Sequence, residues 1–353
     1  MQTAFESWIH PAPPSEGGGL RVVPGGFHID PIRPVDRAVI THGHADHARP
    51  GNASVLATPE TLAIMRERYG AAAGATLQPS PYGETLRIGD VTVRLVPAGH
   101  VLGSAQVVIE HRGQRVVVSG DYKRRADPTC APFEVVPCDL FVSEATFGLP
   151  VFRHPPADRE VARLLDSVRL FPDRAQLVGV YALGTCQRVI RLLREAGWDA
   201  PIFVHGALGG LCGLYERLGV PLGPLVPATG LPRDAFKGQI VLAPPSATAD
   251  RWARRLPDPV VGAASGWMRV RQRARQRGVE LPMIVSDHAD WDELIDTVRD
   301  VGCGTLWVTH GREEALCHVA AGMGIEARAL ALVGFDEEGQ GETADDPGAG
   351  DAA

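Results

Sequence analysis

Three imidazoles and one carboxylate stand within six consecutive positions, His42-Gly43-His44-Ala45-Asp46-His47. Nitrogen and oxygen donors at this density suit a borderline divalent cation such as zinc. Ala38, Val39, Ile40 and Thr41 precede them and read as the end of a buried strand. Gly43 and Ala45 keep the following turn small. His42 and His44 can then reach one ion, and Asp46 and His47 a second beside it.

Further donors recur in the same setting. His100 follows a predicted strand over Val91–Pro97, and Asp121 one over Arg115–Ser119. Glu144 follows Asp139–Ser143, His288 follows Pro282–Ser286, and His310 follows Thr305–Thr309. Each alone is an ordinary polar residue at a strand end. Together with the opening cluster they place metal-type donors along one edge of a sheet, where loops on a rigid scaffold carry binding groups.

The elements that must position them fall into two styles. From Phe27 to Asp121 strand signals dominate, interrupted by one helix over Pro59–Tyr69. After Pro150, Pro155 and Pro156, helices alternate with short strands, as in a parallel α/β unit. Predicted helices include Asp158–Leu170, Thr185–Ala196, capped by Thr185, and Leu208–Leu218; Pro221 to Arg233 reads as loop. The alternation resumes with a helix over Trp291–Val301, another over Glu313–Met323, and a last strand over Ala327–Val333. Met1 to Gly19, rich in proline and glycine, reads as an irregular lead-in.

The chain has 353 residues, 44% hydrophobic and 22% charged, which is ordinary globular composition. It has no apolar run of bilayer length and no secretory signal pattern. Six scattered cysteines without a Cys-x-x-Cys pair imply reduced thiols in a cytoplasmic protein. The net charge of −7 comes from the end of the chain. Seven of the 42 acidic residues lie from Phe335 onward, where there is no lysine or arginine. The body is neutral, and the acidic tail is expected to be disordered.

On these motifs the sequence resembles a metallo-β-lactamase-fold protein, and more narrowly a β-CASP nuclease. His42-x-His44-x-Asp46-His47, His100 and Asp121 are similar to the general motifs of that fold. Glu144, His288 and His310 are similar to the three additional motifs of the β-CASP branch. Three further strings, Glu144-Ala145-Thr146-Phe147-Gly148-Leu149-Pro150, Tyr181-Ala182-Leu183-Gly184 and Ser286-Asp287-His288-Ala289-Asp290-Trp291, resemble the bacterial ligase-associated DNA exonuclease group.

The resemblance implies an α/β protein: an αββα sandwich over residues 1–149 and 282–335, with a β-CASP α/β insert over 150–281. The acidic tail, 336–353, follows. It implies two divalent metal ions, zinc first and manganese as the alternative. His42, His44 and His100 would hold one; Asp46, His47 and His310 would hold the other; Asp121 would bridge them. His288 would protonate the leaving oxygen, positioned by Glu144, and Asp46 would help orient the attacking water. Asp30, in Phe27-His28-Ile29-Asp30-Pro31, reads either as a group orienting a metal-bound imidazole or as a turn aspartate. The remaining histidines read as structural or surface residues.

An insert between two parts of a metal domain would make a cleft suited to a polymer. Arginine stands at every second position from Arg269 through Arg271, Arg273 and Arg275 to Arg277. Extended, these would share one face and suit a nucleic-acid backbone; helical, they would spread around the axis. The helix start at Gly184 and Thr185 is a further candidate phosphate site. The implied activity is DNA hydrolysis by an exonuclease in repair, with association to a DNA ligase and a helicase. Two alternatives stand beside it. One is an RNA-processing ribonuclease, since histidine at the His310 position is typical of RNA-processing members of the branch. The other is a non-catalytic scaffold that binds nucleic acid.

Overall fold

The computed structural model describes residues 5–330 and 332. The acidic tail over 336–353 lies outside the described residues. The described chain forms two compact units, one over residues 5–150 and 288–332 and the other over Val151–Asp287. No described helix is long and apolar enough to cross a membrane.

Six short strands open the first unit: β1 (Ile9–Pro11), β2 (Leu20–Val22), β3 (Phe27–Ile29), β4 (Arg37–Val39), β5 (Ser54–Ala57) and β6 (Thr76–Pro79). They lie side by side in chain order. Helix α1 (Pro59–Tyr69) links β5 to β6, with the Thr58 hydroxyl accepting from the Thr61 amide at its start. A second sheet begins with β7 (Thr85–Ile88), β8 (Val91–Pro97), β9 (Ala105–His111), β10 (Gln114–Val118) and β11 (Leu140–Ala145).

The chain then builds the second unit. Its helices are α2 (Ala157–Leu170), α3 (Thr185–Glu195), α4 (Gly206–Arg217) and α5 (Arg271–Gln276). Its strands are β12 (Gln176–Gly179), β13 (Ile202–Val204), β14 (Leu225–Pro227), β15 (Ile240–Ala243), β16 (Val260–Ala264) and β17 (Leu281–Met283). They form an all-parallel sheet in the order β14-β13-β15-β12-β16-β17. Strands such as Ile240-Val241-Leu242-Ala243 are buried along their whole length, as parallel strands covered on both faces require.

Back in the first unit come α6 (Trp291–Val301), β18 (Thr305–Gly311), α7 (Glu313–Gly322) and β19 (Glu326–Ala329). The second sheet then reads β19-β18-β11-β10-β9-β8-β7, and β18 pairs in parallel with β11.

Alternation of side chains fixes the layers. In β10, Val116 and Val118 join the core shared with Trp8, Ile9, Leu20, Val22, Phe27 and Ile29 of the first sheet's side. Val117 faces the other way and packs with Leu294, Val298 and Val301 of α6 and Leu316 and Ala320 of α7. On the far side, Leu62 and Met65 of α1 cover Ala38, Ile40, Val55 and Ala57 of the first sheet. Helix, sheet, sheet and helix follow one another, which is the αββα sandwich.

Several elements differ from the sequence expectation. The lead-in contains β1, which pairs antiparallel with β2; Pro11 is tolerated there because β1 is an edge strand. Pro221 to Arg233 contains the edge strand β14. The strand expected over Pro282–Ser286 is shorter, and it hydrogen-bonds to β16 within the second unit. The chain rejoins the first unit at His288.

Candidate metal centre

The site is built where strands of the first unit end. Ile40 still donates to the Leu56 carbonyl at 2.9 Å, continuing the direction of β4. From Thr41 the chain bonds elsewhere. The Thr41 amide donates to Asp30 Oδ1 at 2.8 Å, and its hydroxyl donates to Asp30 Oδ2 at 2.6 Å. His44 O accepts from the amides of His47 (3.2 Å) and Ala48 (2.8 Å), closing a tight turn. Gly43 is needed there, because a Cβ would stand 2.6 Å from Ile64 Cγ2.

The other donors arrive from the second sheet. His100 follows β8, with its amide and that of Val101 donating to Ser104 Oγ. Asp121 follows β10. Glu144 lies inside β11, one residue before its end. His310 lies inside β18, in left-handed backbone at φ +57°. The pairing of β11 with β18 slips here: Glu144 faces Thr309 and Ala145 faces Gly311, which leaves His310 as the extra residue of a β-bulge. A bulge of this kind re-aims a side chain.

These chains converge on Asp121. Its Oδ2 lies 3.5 Å from His42 Nε2, 3.4 Å from His47 Nε2 and 3.9 Å from His100 Nε2. Its Oδ1 lies 3.8 Å from His310 Nδ1. His44 Nδ1 is 3.0 Å from His100 Nε2, and Asp46 Oδ2 is 3.7 Å from His47 Nε2. One ligand atom each from His42, His44, His100 and Asp121 lies within 4.8 Å of all the others, and the same holds for His47, Asp121 and His310. A third group, Asp121, Glu144 and His288, meets the same criterion. His288 Nδ1 is 2.8 and 2.9 Å from the two Glu144 oxygens, and both side chains are buried.

Charge is arranged unevenly. Burial opposes ionisation of Asp121, but His47, His42 and His288 outweigh it and hold the carboxyl well below its ordinary range. Burial and the neighbouring His47 push His42 well down. Burial alone would lower His47 too, yet Asp121, Asp46 and Asp30 hold its charged form far above the usual imidazole range. His310 is pushed down to about 4 by burial, against the pull of Asp121. Burial raises Glu144, against the pull of His288.

The donors fit a cation chemically. Thr41 Oγ1 gives its proton to Asp30 and stands 3.0 Å from His42 Nδ1, so it accepts from that nitrogen. This fixes the tautomer and leaves the lone pair on His42 Nε2, a buried atom without a hydrogen-bond partner, aimed toward Asp121. A buried lone pair among imidazoles and a carboxylate is what a divalent ion would satisfy.

Asp30, at φ +46°, accepts from the Thr41 hydroxyl and stands 2.7 Å from His47 Nδ1. It therefore touches a predicted ligand and does more than make a turn. Thr41 is the residue the sequence reading missed. Its signal was weak, since a threonine ending an apolar strand looks like an ordinary strand former.

The second unit shows where the remaining candidates lie. Arg271 and Arg273 belong to α5, so the alternating arginines spread around a helix instead of sharing a face. Arg269 ends a short helical turn, and its Nε donates to Val151 O. Arg273 lies over the Trp267 ring at 4.1 Å. Gly184, not Thr185, caps α3, with Gln187 Oε1 accepting from its amide. Thr185 is buried, and its hydroxyl donates to Asp287 Oδ2 at 3.1 Å.

Comparison with known proteins gives the same picture. A β-lactamase superfamily domain profile matches residues 14–167. A probable DNA ligase of Opitutus terrae is 27% identical over 88% of this chain and 30% of its own length. A ribonuclease of Thermus thermophilus is 26% identical over 88% of this chain and 89% of its own. An endoribonuclease of Gibberella zeae is 32% identical over 42% of this chain and 18% of its own. The chain thus spans less than a third of the ligase and of the fungal enzyme. A crystal structure of a protein of unknown function from Enterococcus faecalis superposes with a TM-score of 0.53 at 12% identity, covering 77% of this chain and 74% of that one; this likeness speaks for the fold alone. Residues 14–167 are thus similar to a β-lactamase superfamily domain, and the αββα sandwich and the clustered donors agree with that likeness.

Proposed function

We propose that the chain is a dimetal phosphodiesterase that hydrolyses nucleic acid, acting on DNA ends as an exonuclease in repair. The observation that carries this reading is the pair of donor sets sharing Asp121, with His288 and Glu144 beside them. His42, His44, His100 and Asp121 would hold one cation; Asp46, His47, His310 and Asp121 would hold the other. Zinc suits these nitrogen-rich sets, and manganese is the alternative. When bound, two such ions acidify water and neutralise charge on a phosphodiester.

The chain's own residues do the rest. Asp30 orients the His47 ring through Nδ1. Asp46, whose side chain is 25% exposed, is the carboxylate open to an incoming water and orients it. Glu144 holds His288 at Nδ1, so the proton that His288 delivers to the leaving oxygen sits on Nε2. Arg269, Arg271 and Arg273 contact the substrate backbone. The α3 start at Gly184 and Thr185 is a further phosphate contact, with the Thr185 hydroxyl donating to Asp287.

DNA is favoured by the ligase relative, which matches 88% of this chain. That likeness also motivates association with a ligase; a helicase partner and a cytoplasmic setting rest on the sequence reading. The second reading, an RNA-processing enzyme, is favoured by the Thermus ribonuclease, matched over nearly its whole length, and by the histidine at 310. A non-catalytic scaffold is disfavoured because every ligand position carries a donor. Purified protein with zinc or manganese and end-labelled DNA and RNA separates these readings. Preferential shortening of DNA is expected. Preferential cutting of RNA would establish the second reading, and equal inertness of wild type and His44→Ala on both polymers would sink catalysis altogether.

A further inference from the structure

His288 is held at two levels. Its ring is held by Glu144. Its backbone belongs to the short segment 288–290 that leads into α6, and that segment is gripped by the residues after Asp121. Tyr122 works in both directions: its amide donates to Glu144 Oε1 at 2.7 Å, and its carbonyl accepts from the Ala289 amide at 2.6 Å. Three residues later, Arg125 reaches the same segment.

Asp290 caps α6. Its Oδ1 accepts from the amides of Asp292 and Glu293, both at 3.1 Å, while Glu293 Oε2 accepts from the Asp290 amide at 3.0 Å. Each carboxylate thus spends one oxygen on closing the helix start. Arg125 takes the other two: Nη2 donates to Asp290 Oδ2 at 2.5 Å, and Nε lies 3.0 Å from Glu293 Oε1. The Asp290 side chain is 2% exposed. Two carboxylates this close and this buried repel each other unless positive charge stands beside them; Arg125, its own side chain 41% exposed, lies across both, and Lys123 adds a weaker pull on Glu293. Without Arg125 the cap loses its main counter-charge, and Asp290, two residues from His288, loses its ion pair.

We propose that Arg125 is a positioning residue for proton delivery by His288. By bridging Asp290 and Glu293 it fixes where the 288–290 segment, and so the His288 ring, stands relative to Asp121. This rests on the reading of His288 as the proton donor. A displacement of about 1 Å at such a group costs up to about 100-fold in rate.

The test compares two oligonucleotides, one all-oxygen and one with sulfur as the leaving atom of the scissile bond. A thiolate leaves without a proton, so the second substrate does not need His288. For Arg125→Ala we expect a loss of about 10- to 100-fold on the all-oxygen substrate and of less than about 2-fold on the sulfur substrate. Asp290→Asn keeps the helix cap but weakens the ion pair, so it should show the same split, and the double variant should be no worse than either single one. Arg125→Lys should recover part of the loss. Arg124→Ala, which removes contacts to Thr297 and Asp300 farther along α6, should show no split. In the protein without added metal, amide exchange at Asp292 and Glu293 should quicken in Arg125→Ala. Equal losses on both substrates would mean a merely structural role, and no loss on either would mean no role; either result overturns the proposal. A wild type that cleaves neither substrate would instead overturn the proposed function itself.

Discussion

His42 and His47 lie side by side, with ring centres 4.1 Å apart, yet their environments drive them in opposite directions. His42 meets the neutral hydroxyl of Thr41 at one nitrogen and is pushed toward the neutral form. His47 is ringed by Asp30, Asp46 and Asp121 and is held charged. The lesson is that two halves of one centre can be prepared differently. The half around His42 offers a lone pair at once. The half around His47 must first give up a proton.

Substitutions can break or sharpen this contrast. The largest effect is expected for Asp121→Ala, the one group common to both halves: elemental analysis should find less than one metal per chain, and cleavage should vanish. A variant that kept both metals would refute the shared role. His310→Ala should strip only the half around His47, leaving about one metal per chain. Loss of both together would show that the halves are not separable. Asp30→Asn should weaken metal affinity by about 10- to 100-fold, because it disturbs the ring of a ligand without removing one. An unchanged titration with a competing chelator would count against that.

The smallest effect is thermodynamic. The pKa of His47 is raised, so its imidazole is protonated at neutral pH and cation binding must expel that proton. Uptake measured by calorimetry in two buffers of different ionisation heat should reveal about one proton released per second-half cation near pH 7. Affinity should rise with pH, and it should fail as pH drops toward the value of about 4 at His310, where protons compete for that ring as well. Heats independent of buffer would show that His47 binds without deprotonation.

How much of this could be read beforehand depended on how local the cause was. The His42–His47 cluster is legible because its donors are neighbours in sequence. His100 and Asp121 were legible as polar groups past strand ends, whereas Glu144 and His310 lie inside β11 and β18 and His288 follows a strand of the other unit's sheet, so their convergence was legible only through the family resemblance. The bulge at His310 was not, since nothing about histidine announces a left-handed backbone; it arises where Glu144–Ala145 and Thr309–Gly311 fall out of step. Strands β1 to β3 and β14 are three residues each, too short for alternation to declare itself among prolines and glycines. The alternating arginines were open between strand and helix, and only the packed chain decides for helix. Pairing partners are a long-range property, which is why β17 was readable as a strand but not as a member of the second unit's sheet.

The route by which the chain quits the sandwich and comes back has a consequence of its own. It departs after β11 and re-enters just ahead of α6, and Glu144 and His288 on either side of that excursion touch each other. The two sides of the excursion are thus tied together by a buried side-chain contact. For a flexible connection between such points, doubling the length adds only about 0.6 kcal/mol to the entropy of closing it. Changes in the length of the stretch between therefore weigh little on the entropy of closing it.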